Sequence, residues 1–233
     1  MQKGIFITGT DTEVGKTIVT AGLLKLLRSK GIDAVPMKPV QTGCELKDGK
    51  FIAPDLDFDI KYAGLDCSSD ELNLMAPYCY EPACSPHLAG DLSGKYPEID
   101  TIVSHLKELE KRKELVLVEG AGGIMVPLNE KEMMIDLMKA TAYPVIIVAH
   151  AELGTINHTL LSIEALRNSG IEIMGVIFNN VNPPDATSRF IREDNIKTIT
   201  ERGKVKVLGV IDHIPDVFNN FTGIEKEFEQ INI

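Results

Sequence analysis

The chain has 233 residues, 44% of them hydrophobic, which is enough to bury a substantial core, and we expect residues 1–233 to form a single α/β domain. The formal net charge is −10 and the basic residues are scattered rather than clustered, which argues against nucleic acid as a partner. No apolar run is long enough for a secretion signal or a membrane span, so we expect a cytoplasmic protein with no membrane partner.

Short β-branched runs alternate with amphipathic stretches of helical length along the chain. Strands are predicted at residues 5–8, 34–38, 115–119, 145–149, 173–178 and 205–210. Helices are predicted at residues 16–30, 56–63, 99–112, 133–142, 156–168 and 187–202. This alternation predicts a doubly wound α/β fold, in which helices cover both faces of a mainly parallel sheet. Such sheets bind ligands beyond the carboxyl ends of their strands.

Residues 44–93 have a less regular pattern, rich in Asp, Pro and Cys, and only residues 56–63 show a convincing helix. Functional loops are common in such segments. The four cysteines form neither a CxxC pair nor a close Cys/His cluster, so we expect reduced, structural thiols. A loop and one short helix are expected after Asp216.

A phosphate-binding loop follows the first predicted strand. Its sequence, GTDTEVGKT at residues 9–17, leads directly into a helical pattern. Successive backbone N–H groups and a helix N-terminus cradle phosphates, while Lys16 reaches the outer phosphates and Thr17 is placed to bind Mg²⁺. The usual motif has a glycine where Thr10 stands, and here Gly9 lies one residue earlier. The loop predicts a P-loop NTPase-like protein.

Carboxylates are candidates for a Mg²⁺ site near this loop. Glu119 closes the predicted strand 115–119, and the glycines of residues 120–123 let backbone approach a phosphate. In PDLDFD, any of Asp55, Asp57 and Asp59 can supply oxygen ligands for Mg²⁺. For Asp57 and Asp59, a solvated helix face is the favoured interpretation.

Three further signals lie at predicted strand ends. Lys38 precedes Pro39, which favours an extended backbone pointing out of the sheet edge. Asn179 has an amide that can donate and accept together, as the adenine edge requires. A second helix start has free N–H groups that can form an anion site, and it consists of Gly154, Thr155, Ile156 and Asn157.

Four motifs together resemble the dethiobiotin synthetase family, in order and in spacing: GTDTEVGKT (9–17), MKPVQTG (37–43), VEGAGG (118–123) and LGTINH (153–158). The resemblance extends over nearly the whole chain. It implies an ATP-dependent ligase that uses CO2 and Mg²⁺ to close a cyclic urea on 7,8-diaminononanoate, yielding dethiobiotin, ADP and phosphate. This chemistry requires no side-chain nucleophile.

The resemblance also implies a role for each matching residue. Lys16 and Lys38 are the catalytic cations, and Thr42 touches the substrate. Counting back from Gly64, the family's metal-side aspartate falls on Asp55, so Thr17, Asp55 and Glu119 are the implied Mg²⁺ ligands. The implied nucleotide contacts are Thr12, Glu13, Val14, Gly15, Lys16, Thr17, Ile18, Asp55, Glu119, Gly120, Ala121, Gly122, Asn179, Asn180, Asp212, His213 and Ile214.

For the second helix start, the resemblance implies binding of the diamino acid carboxylate by Gly154, Thr155, Ile156 and Asn157 from the neighbouring subunit of a homodimer. One departure stands near the adenine site, where the family usually has Gly-x-x-Pro and this chain has Asp212 in place of the proline.

Two other classes of P-loop protein fit the sequence less well. Switch or partitioning ATPases resemble one another in carrying an extra lysine five residues before the phosphate-binding lysine, and here that position is Asp11. A carboxylate cannot supply the function of that lysine. A relative of the amidotransferase-linked cobyrinate synthases would need a glutaminase Cys/His domain, for which this chain has no room.

Overall fold

The computed structural model describes residues 3–47, 49–183 and 188–217, together with Ile224 and Phe228. The strands are β1 (Gly4–Gly9), β2 (Ala34–Met37), β3 (Val40–Thr42), β4 (Glu45–Lys47), β5 (Lys50–Ile52), β6 (Tyr78–Tyr80), β7 (Leu115–Gly123), β8 (Val145–Ala149), β9 (Ile173–Asn179) and β10 (Val207–Ile211). The helices are α1 (Lys16–Ser29), α2 (Pro54–Ala63), α3 (Ser69–Met75), α4 (Pro86–Ser93), α5 (Ile99–Arg112), α6 (Met134–Thr141), α7 (Thr155–Asn168) and α8 (Ser188–Gly203).

Six strands form one sheet in the order β10-β9-β8-β1-β7-β2, and every neighbouring pair is parallel. The central strand is β1, whose Ile7 pairs with Glu119 of β7 on one side and with Ile146 of β8 on the other. The carboxyl ends of all six strands therefore meet at one edge, where the phosphate loop leaves β1. The predicted doubly wound α/β fold is confirmed.

Strand side chains alternate between two buried layers, because successive residues of a strand point to opposite faces. Ile5 and Ile7 pack in the layer formed with α1. Phe6 packs in the opposite layer, which contains residues of α5, α6, α7 and α8. Strands buried on both faces explain the nearly continuous apolar runs of the sequence.

Strands β7 and β10 differ from the sequence prediction by more than one residue at an end. Strand β7 continues past Glu119 to Gly123, because Gly123 pairs with Gly9 after an irregularity in the β1–β7 register. Glu119 is therefore inside the strand rather than its last residue. Strand β10 runs over Val207–Ile211 instead of residues 205–210.

The prediction of an irregular segment at residues 44–93 is wrong in part. The predicted helix is confirmed as α2, which begins two residues earlier because Pro54 occupies its first turn. Two further helices follow: α3 begins at a capping box made by Ser68 and Glu71, and α4 begins at Pro86. Helices of seven and eight residues are too short to show a clear apolar period.

Two small sheets complete this segment: β3 pairs with β6 in parallel, and β4 pairs with β5 as a hairpin. The predicted short helix after Asp216 falls almost wholly outside the described residues. Among the residues described, no helix has both the length and the apolar character needed to cross a membrane.

Candidate active site

The phosphate loop is fixed in place by its contact with β9. Gly15 has a φ of 92°, and a Cβ atom there would lie 2.0 Å from Asn179 Nδ2. The same Asn179 amide donates a hydrogen bond of 3.0 Å to the Val14 carbonyl oxygen. The close approach of the two segments therefore requires glycine. Helix α1 then starts at Lys16 with no side-chain cap, which leaves the N–H groups of its first turn for a ligand.

The glycine at the first position of the loop also has a structural reason. A Cβ atom on Gly9 would lie 2.7 Å from the Asp11 carbonyl oxygen and 3.1 Å from Lys16 Nζ. Lys16 Nζ donates a hydrogen bond of 2.8 Å to that same Asp11 oxygen. The loop thus folds over residue 9, and the glycine stands where the backbone needs space.

Four predicted site residues meet beside this loop. Lys38 Nζ lies 2.6 Å from Glu119 Oε1 and 2.7 Å from Asp55 Oδ2. Thr17 Oγ1 donates a hydrogen bond of 3.1 Å to the same Glu119 oxygen. These side chains come from the end of β2, from β7, from the first turn of α2 and from α1. Lys38 and Glu119 are almost fully buried, so this cluster of Thr17, Lys38, Asp55 and Glu119 is held in a low-dielectric setting.

The opposite charges of Lys38, Glu119 and Asp55 stabilise the ionised form of Lys38 and of Asp55. Burial disfavours the Lys38 ammonium, but the Glu119 and Asp55 carboxylates outweigh this effect and raise the pKa of Lys38. Burial also opposes the ionisation of Asp55, yet the Lys38 charge and its hydrogen bond lower the pKa of that carboxyl. Lys16 differs, because burial and then the nearby Lys38 charge lower its pKa to about 8. Lys38 therefore remains positively charged throughout the neutral range.

Helix α2 contributes a carboxyl that the sequence interpretation misplaced. Asp57 is exposed enough to pair with Lys61 at 2.6 Å, as a solvated face requires. Asp59 is only 1% exposed, and its Oδ1 has no hydrogen-bond partner within the described part of the chain. Burial, followed by repulsion from Glu119, raises the pKa of Asp59 well above its ordinary value. The spacing from Asp55 was the available signal, since residues i and i+4 share one helix face.

The cluster forms one wall of a cleft of about 820 Å³. Predicted site residues that line it are Thr12, Glu13, Gly15, Lys16, Thr17, Ile18, Lys38, Thr42, Asp55, Glu119, Ala121, Gly122, Asn179, Asn180, His213 and Ile214. Five residues that sequence reasoning did not select also line it: Val40, Gln41, Val181, Asp216 and Val217. Of these, Gln41 lies inside the MKPVQTG motif, so the sequence could have predicted that it lines the cleft.

Three predicted nucleotide contacts do not line this cleft. Val14 is fully buried in the core beneath the loop. Gly120 points its carbonyl oxygen toward Lys38 Nζ, at 3.4 Å. Asp212 is exposed, and the cleft wall there is formed by His213 and Ile214.

The second helix start lies apart from the cleft. Gly154, Ile156 and Asn157 line a separate groove of about 670 Å³ between α7 and α8. Gly154 has a φ of 94° and, like Gly15, provides no side-chain cap for its helix. Thr155 is buried and donates a hydrogen bond of 2.6 Å to the His150 carbonyl oxygen. The four residues thus expose a helix N-terminus away from the cluster of their own chain.

The oxygen atoms of the cluster fit a magnesium ion better than a transition metal. Residues 3–47, 49–183 and 188–217 contain no group of three His, Cys, Asp or Glu side chains arranged to hold a metal. Thr17, Asp55 and Glu119 offer a hydroxyl and two carboxylates, and the buried Glu119 Oε2 has no hydrogen-bond partner in the described ranges. Mg²⁺ favours such oxygen ligands and keeps several waters, so it needs no all-protein cage.

A parallel sheet, a glycine-bounded loop between β1 and α1, and a lysine and a threonine at the start of α1 define a P-loop nucleotide-binding protein. A family described as an AAA domain matches residues 3–220. Among solved structures, the septum site-determining protein MinD of Pyrococcus horikoshii, complexed with Mg-ADP, aligns with a TM-score of 0.61 over 99% of this chain and 94% of that one. The MinC:MinD complex of Aquifex aeolicus gives 0.61 over 97% and 86%. Both are 15% identical to this chain, so they show the fold alone.

Curated relatives specify the family. The ATP-dependent dethiobiotin synthetase BioD of Anoxybacillus flavithermus is 42% identical over 229 residues, which cover 98% of this chain and 100% of the relative. BioD of Fusobacterium nucleatum is 40% identical, covering 88% and 89%. BioD of Clostridium novyi is 34% identical, covering 100% and 96%. The chain therefore belongs to the ATP-dependent dethiobiotin synthetase family, and the resemblance read from four motifs is confirmed.

Proposed function

We propose that the protein uses ATP, Mg²⁺ and CO2 to close the ureido ring of dethiobiotin on 7,8-diaminononanoate, releasing ADP and phosphate. The observation that carries this proposal is the buried Lys38, held between Glu119 and Asp55 beside the phosphate loop in a member of this family. Such a cation can serve two anions at once, the γ-phosphate of ATP and a carbamate on the substrate.

The cleft divides into a phosphate end and an adenine end. At the phosphate end, the first turn of α1 and the Lys16 ammonium receive the triphosphate. At the adenine end, Asn179 has one of its two amide N–H groups committed to the Val14 carbonyl oxygen. Asn180 Oδ1 is buried without a hydrogen-bond partner among the described residues, so it can accept from the adenine amino group. We assign Asn179 to positioning the loop and Asn180 to direct contact with the base.

Thr17, Asp55 and Glu119 would hold the magnesium ion together with phosphate oxygens and water. The ion supplies charge neutralisation on the phosphate oxygens when it is bound. The residues themselves do the rest of the orienting. Thr17 Oγ1 and Lys38 Nζ share Glu119 Oε1, which fixes that carboxylate in one direction.

The chemistry follows from where charge moves. One substrate amine captures CO2 as a carbamate, and a carbamate oxygen attacks the γ-phosphorus while ADP leaves. The second amine then attacks the carbonyl carbon of the resulting carbamic-phosphoric anhydride and expels phosphate. Lys16 and Lys38 lower the cost of phosphoryl transfer by neutralising charge on the transferring oxygens. Ring closure benefits from proximity, since well-oriented intramolecular attack reaches effective molarities of about 10⁵ M or more.

The substrate carboxylate is assigned to the second helix start of a partner subunit in a homodimer. This assignment is supported by the separation of Gly154 and Asn157 from the cleft of their own chain. A carboxylate is stabilised at an uncapped helix N-terminus by free N–H groups and by the helix dipole. Leu153 beside it is 91% exposed and Leu161 is 60% exposed, an apolar surface suited to a subunit contact.

A product assay tests the function. The protein is incubated with ATP, Mg²⁺, bicarbonate and 7,8-diaminononanoate, and dethiobiotin is measured by mass, with each component omitted in turn. We expect dethiobiotin and phosphate in equal amounts, and neither from the Lys16→Ala variant. Phosphate release that is independent of the diamino acid would contradict the proposal.

Subunit mixing tests the shared site. Lys16→Ala lacks the phosphate cation and Asn157→Pro lacks one of the free N–H groups of the carboxylate site, so each homodimer should be nearly inactive. Mixed dimers should regain activity, because one of their two sites combines intact halves. Activity that never returns on mixing, or an active monomer, would refute the shared site.

The alternative of a switch or partitioning ATPase has less support. The similarity to MinD extends to the fold, at 15% identity. The position of the extra lysine of such ATPases is taken by Asp11, an exposed carboxylate. Whether ATP turnover requires the diamino acid separates the two functions in the assay above.

A further inference from the structure

Two cysteines from separate parts of the sequence lie close together where β3 pairs with β6. Strands β3 and β6 pair in parallel with Gln41 opposite Cys79. After β3 the chain turns at Gly43, and the Cys44 N–H then donates a hydrogen bond of 2.9 Å to the Tyr80 carbonyl oxygen. The Cys44 and Cys79 thiols are close enough for each to shift the pKa of the other.

The backbone arrangement suits a covalent link. Cys44 lies beyond the end of β3, and its backbone hydrogen bond to Tyr80 holds it beside the strand that carries Cys79. A disulfide links segments in this kind of proximity, with Cα atoms roughly 4.4–6.8 Å apart. Each sulfur also faces a carbonyl oxygen, Gln41 for Cys44 at 3.5 Å and Ala76 for Cys79 at 3.7 Å. Neither bond is strong, because thiols are weak donors.

The two thiols differ in access. Cys44 is 3% exposed and packs in the core. Cys79 is half-buried and lines a cavity of about 1080 Å³ on the far side of α2, separate from the nucleotide cleft. A small oxidant in solvent can therefore reach Cys79, whose sulfur lies next to Cys44.

The pKa values of the two thiols also differ, and the more accessible Cys79 has the lower one. The hydrogen bond with Cys79, followed by burial, raises the pKa of Cys44. The hydrogen bond from Cys44 lowers the pKa of Cys79, which favours the nucleophilic thiolate there. Cys67 lines the same cavity, but burial raises the pKa of its thiol, so it provides an internal comparison.

We propose that Cys44 and Cys79 are a redox-active pair that closes to a disulfide under hydroperoxides and reopens with thiol reductants. The Cys79 thiolate attacks the terminal peroxide oxygen, giving a sulfenic acid and releasing the alcohol or water. The Cys44 thiol then attacks the Cys79 sulfur, the S–S bond forms and water leaves. Two thiols lose two electrons in total, and the hydroperoxide accepts them.

Closing this bond also changes the cleft wall. Strand β3 carries Gln41 and Thr42, which line the cleft, and Cys44 follows Thr42 by two residues. Forming the disulfide gives up the Cys44 bond to the Gln41 carbonyl oxygen and draws the turn at Gly43 toward β6. The pair is therefore placed to make the cleft sensitive to oxidation.

Mass spectrometry tests the bond. The reduced protein is treated with a small excess of hydrogen peroxide, alkylated and digested without reductant. We expect a loss of two hydrogen atoms from the intact mass and a single linked peptide pair containing Cys44 and Cys79, both reversed by dithiothreitol. A link to Cys67 or Cys84, or stable over-oxidation of unlinked Cys79, would overturn the proposal.

Variants separate the bond from general damage. Cys79→Ser should prevent the mass loss, while Cys67→Ser and Cys84→Ser should leave it unchanged. Cys44→Ser should leave Cys79 as a trappable sulfenic acid, and a folded Cys44→Ser protein that traps none would count against the mechanism.

Turnover of the oxidised protein, measured in the dethiobiotin assay, tests the effect on the cleft. This arm rests on the proposed function, whereas the mass measurement does not. Turnover should fall at least about tenfold, since a misplacement near 1 Å can cost on the order of 10² in rate. Unchanged turnover in a linked protein would overturn the effect on the cleft, whereas an inactive reduced protein would point to failure of the proposed function itself.

Discussion

Two helix starts in this protein have nearly the same local geometry and different surroundings. Helix α1 begins after Gly15, with φ 92°, and helix α7 begins after Gly154, with φ 94°, and neither has a side-chain cap. Each follows a central parallel strand, β1 or β8. Local backbone chemistry therefore gives both the free N–H groups of an anion site.

The residues around the two helix starts differ. A Cβ atom on Gly15 would collide with Asn179, whereas one on Gly154 would have nothing within 4 Å. The α1 start lies next to Lys38, Asp55 and Glu119. The α7 start opens onto a groove with an exposed Leu153. One chain therefore completes the first site by itself, whereas under the proposed function the second helix start binds substrate only when another subunit faces it.

Removing the charge beside the α1 start should give the largest effect. Lys38→Ala should lower kcat at least about a hundredfold, because loss of one preorganised charge-stabilising group typically costs 10²–10³ in rate. Its ATP affinity should change much less. Lys16→Ala should damage ATP binding as well as turnover, since Lys16 faces phosphates that are charged on arrival.

Calorimetry of ATP binding beside steady-state kinetics decides between these outcomes. Lys61→Ala is the matched control, because Lys61 pairs only with the exposed Asp57 among the described ion pairs. Melting temperatures show whether Glu119 and Asp55, left without Lys38, destabilise the fold. Normal turnover in Lys38→Ala would remove Lys38 from the site.

The second largest effect is expected when a proposed Mg²⁺ ligand near the start of α1 is replaced. Asp55→Asn should weaken the apparent Mg²⁺ affinity by about tenfold or more, since even residues that only support a metal ligand typically change metal affinity 10–100-fold. Asp57→Asn should have little effect, because Asp57 pairs with Lys61 on the exposed face. Turnover is measured as a function of Mg²⁺ concentration, and equal effects at the two positions would show that Asp55 is not a ligand.

Alanine at each of the two glycines tests the comparison directly. Both changes carry the strain of a positive φ, roughly 1–2 kcal/mol. Only Gly15→Ala adds a collision with Asn179, so it should weaken ATP binding by at least about tenfold, or roughly 1.4 kcal/mol. Gly154→Ala should leave ATP binding nearly unchanged. Equal losses of ATP affinity, measured by calorimetry, would mean that the two sites are not separate.

The smallest effect is expected at Asp59. Its raised pKa means that the folded protein holds this proton more tightly than the unfolded chain does, so its stabilising contribution is present below the unfolded pKa near 4 and is lost as pH rises. Asp59→Asn should therefore raise the free energy of unfolding at pH 8 by on the order of 1 kcal/mol, and by less at pH 5. Urea unfolding with EDTA present measures the change in the free energy of unfolding, and Asp57→Asn is the control. A destabilised Asp59→Asn would indicate that the ionised carboxylate is needed.

The sequence alone determined the main sheet and named the principal residues of the candidate site. Apolar runs of strand length, alternating with amphipathic helices, predicted all six strands of the main sheet, because strands buried on both faces leave a strong local signal. The sequence also predicted the phosphate loop, since its glycines and lysine lie within one short segment whose backbone geometry is local. Thr17, Lys38 and Glu119 were named from motifs and Asp55 from its distance to Gly64, and the structure brings the four together.

Only the tertiary structure decided how buried each polar group is and what it faces. Asp57 and Asp59 have the same chemistry two residues apart, yet α2 turns one to solvent and the other into the protein. The short helices α3 and α4 have too few turns to show a period. Cys44 and Cys79 meet through β3 and β6, strands of three residues that carry almost no signal of their own. In each case the deciding contact joins segments far apart in the chain, and a local pattern cannot specify such a contact because its energy depends on the assembled fold.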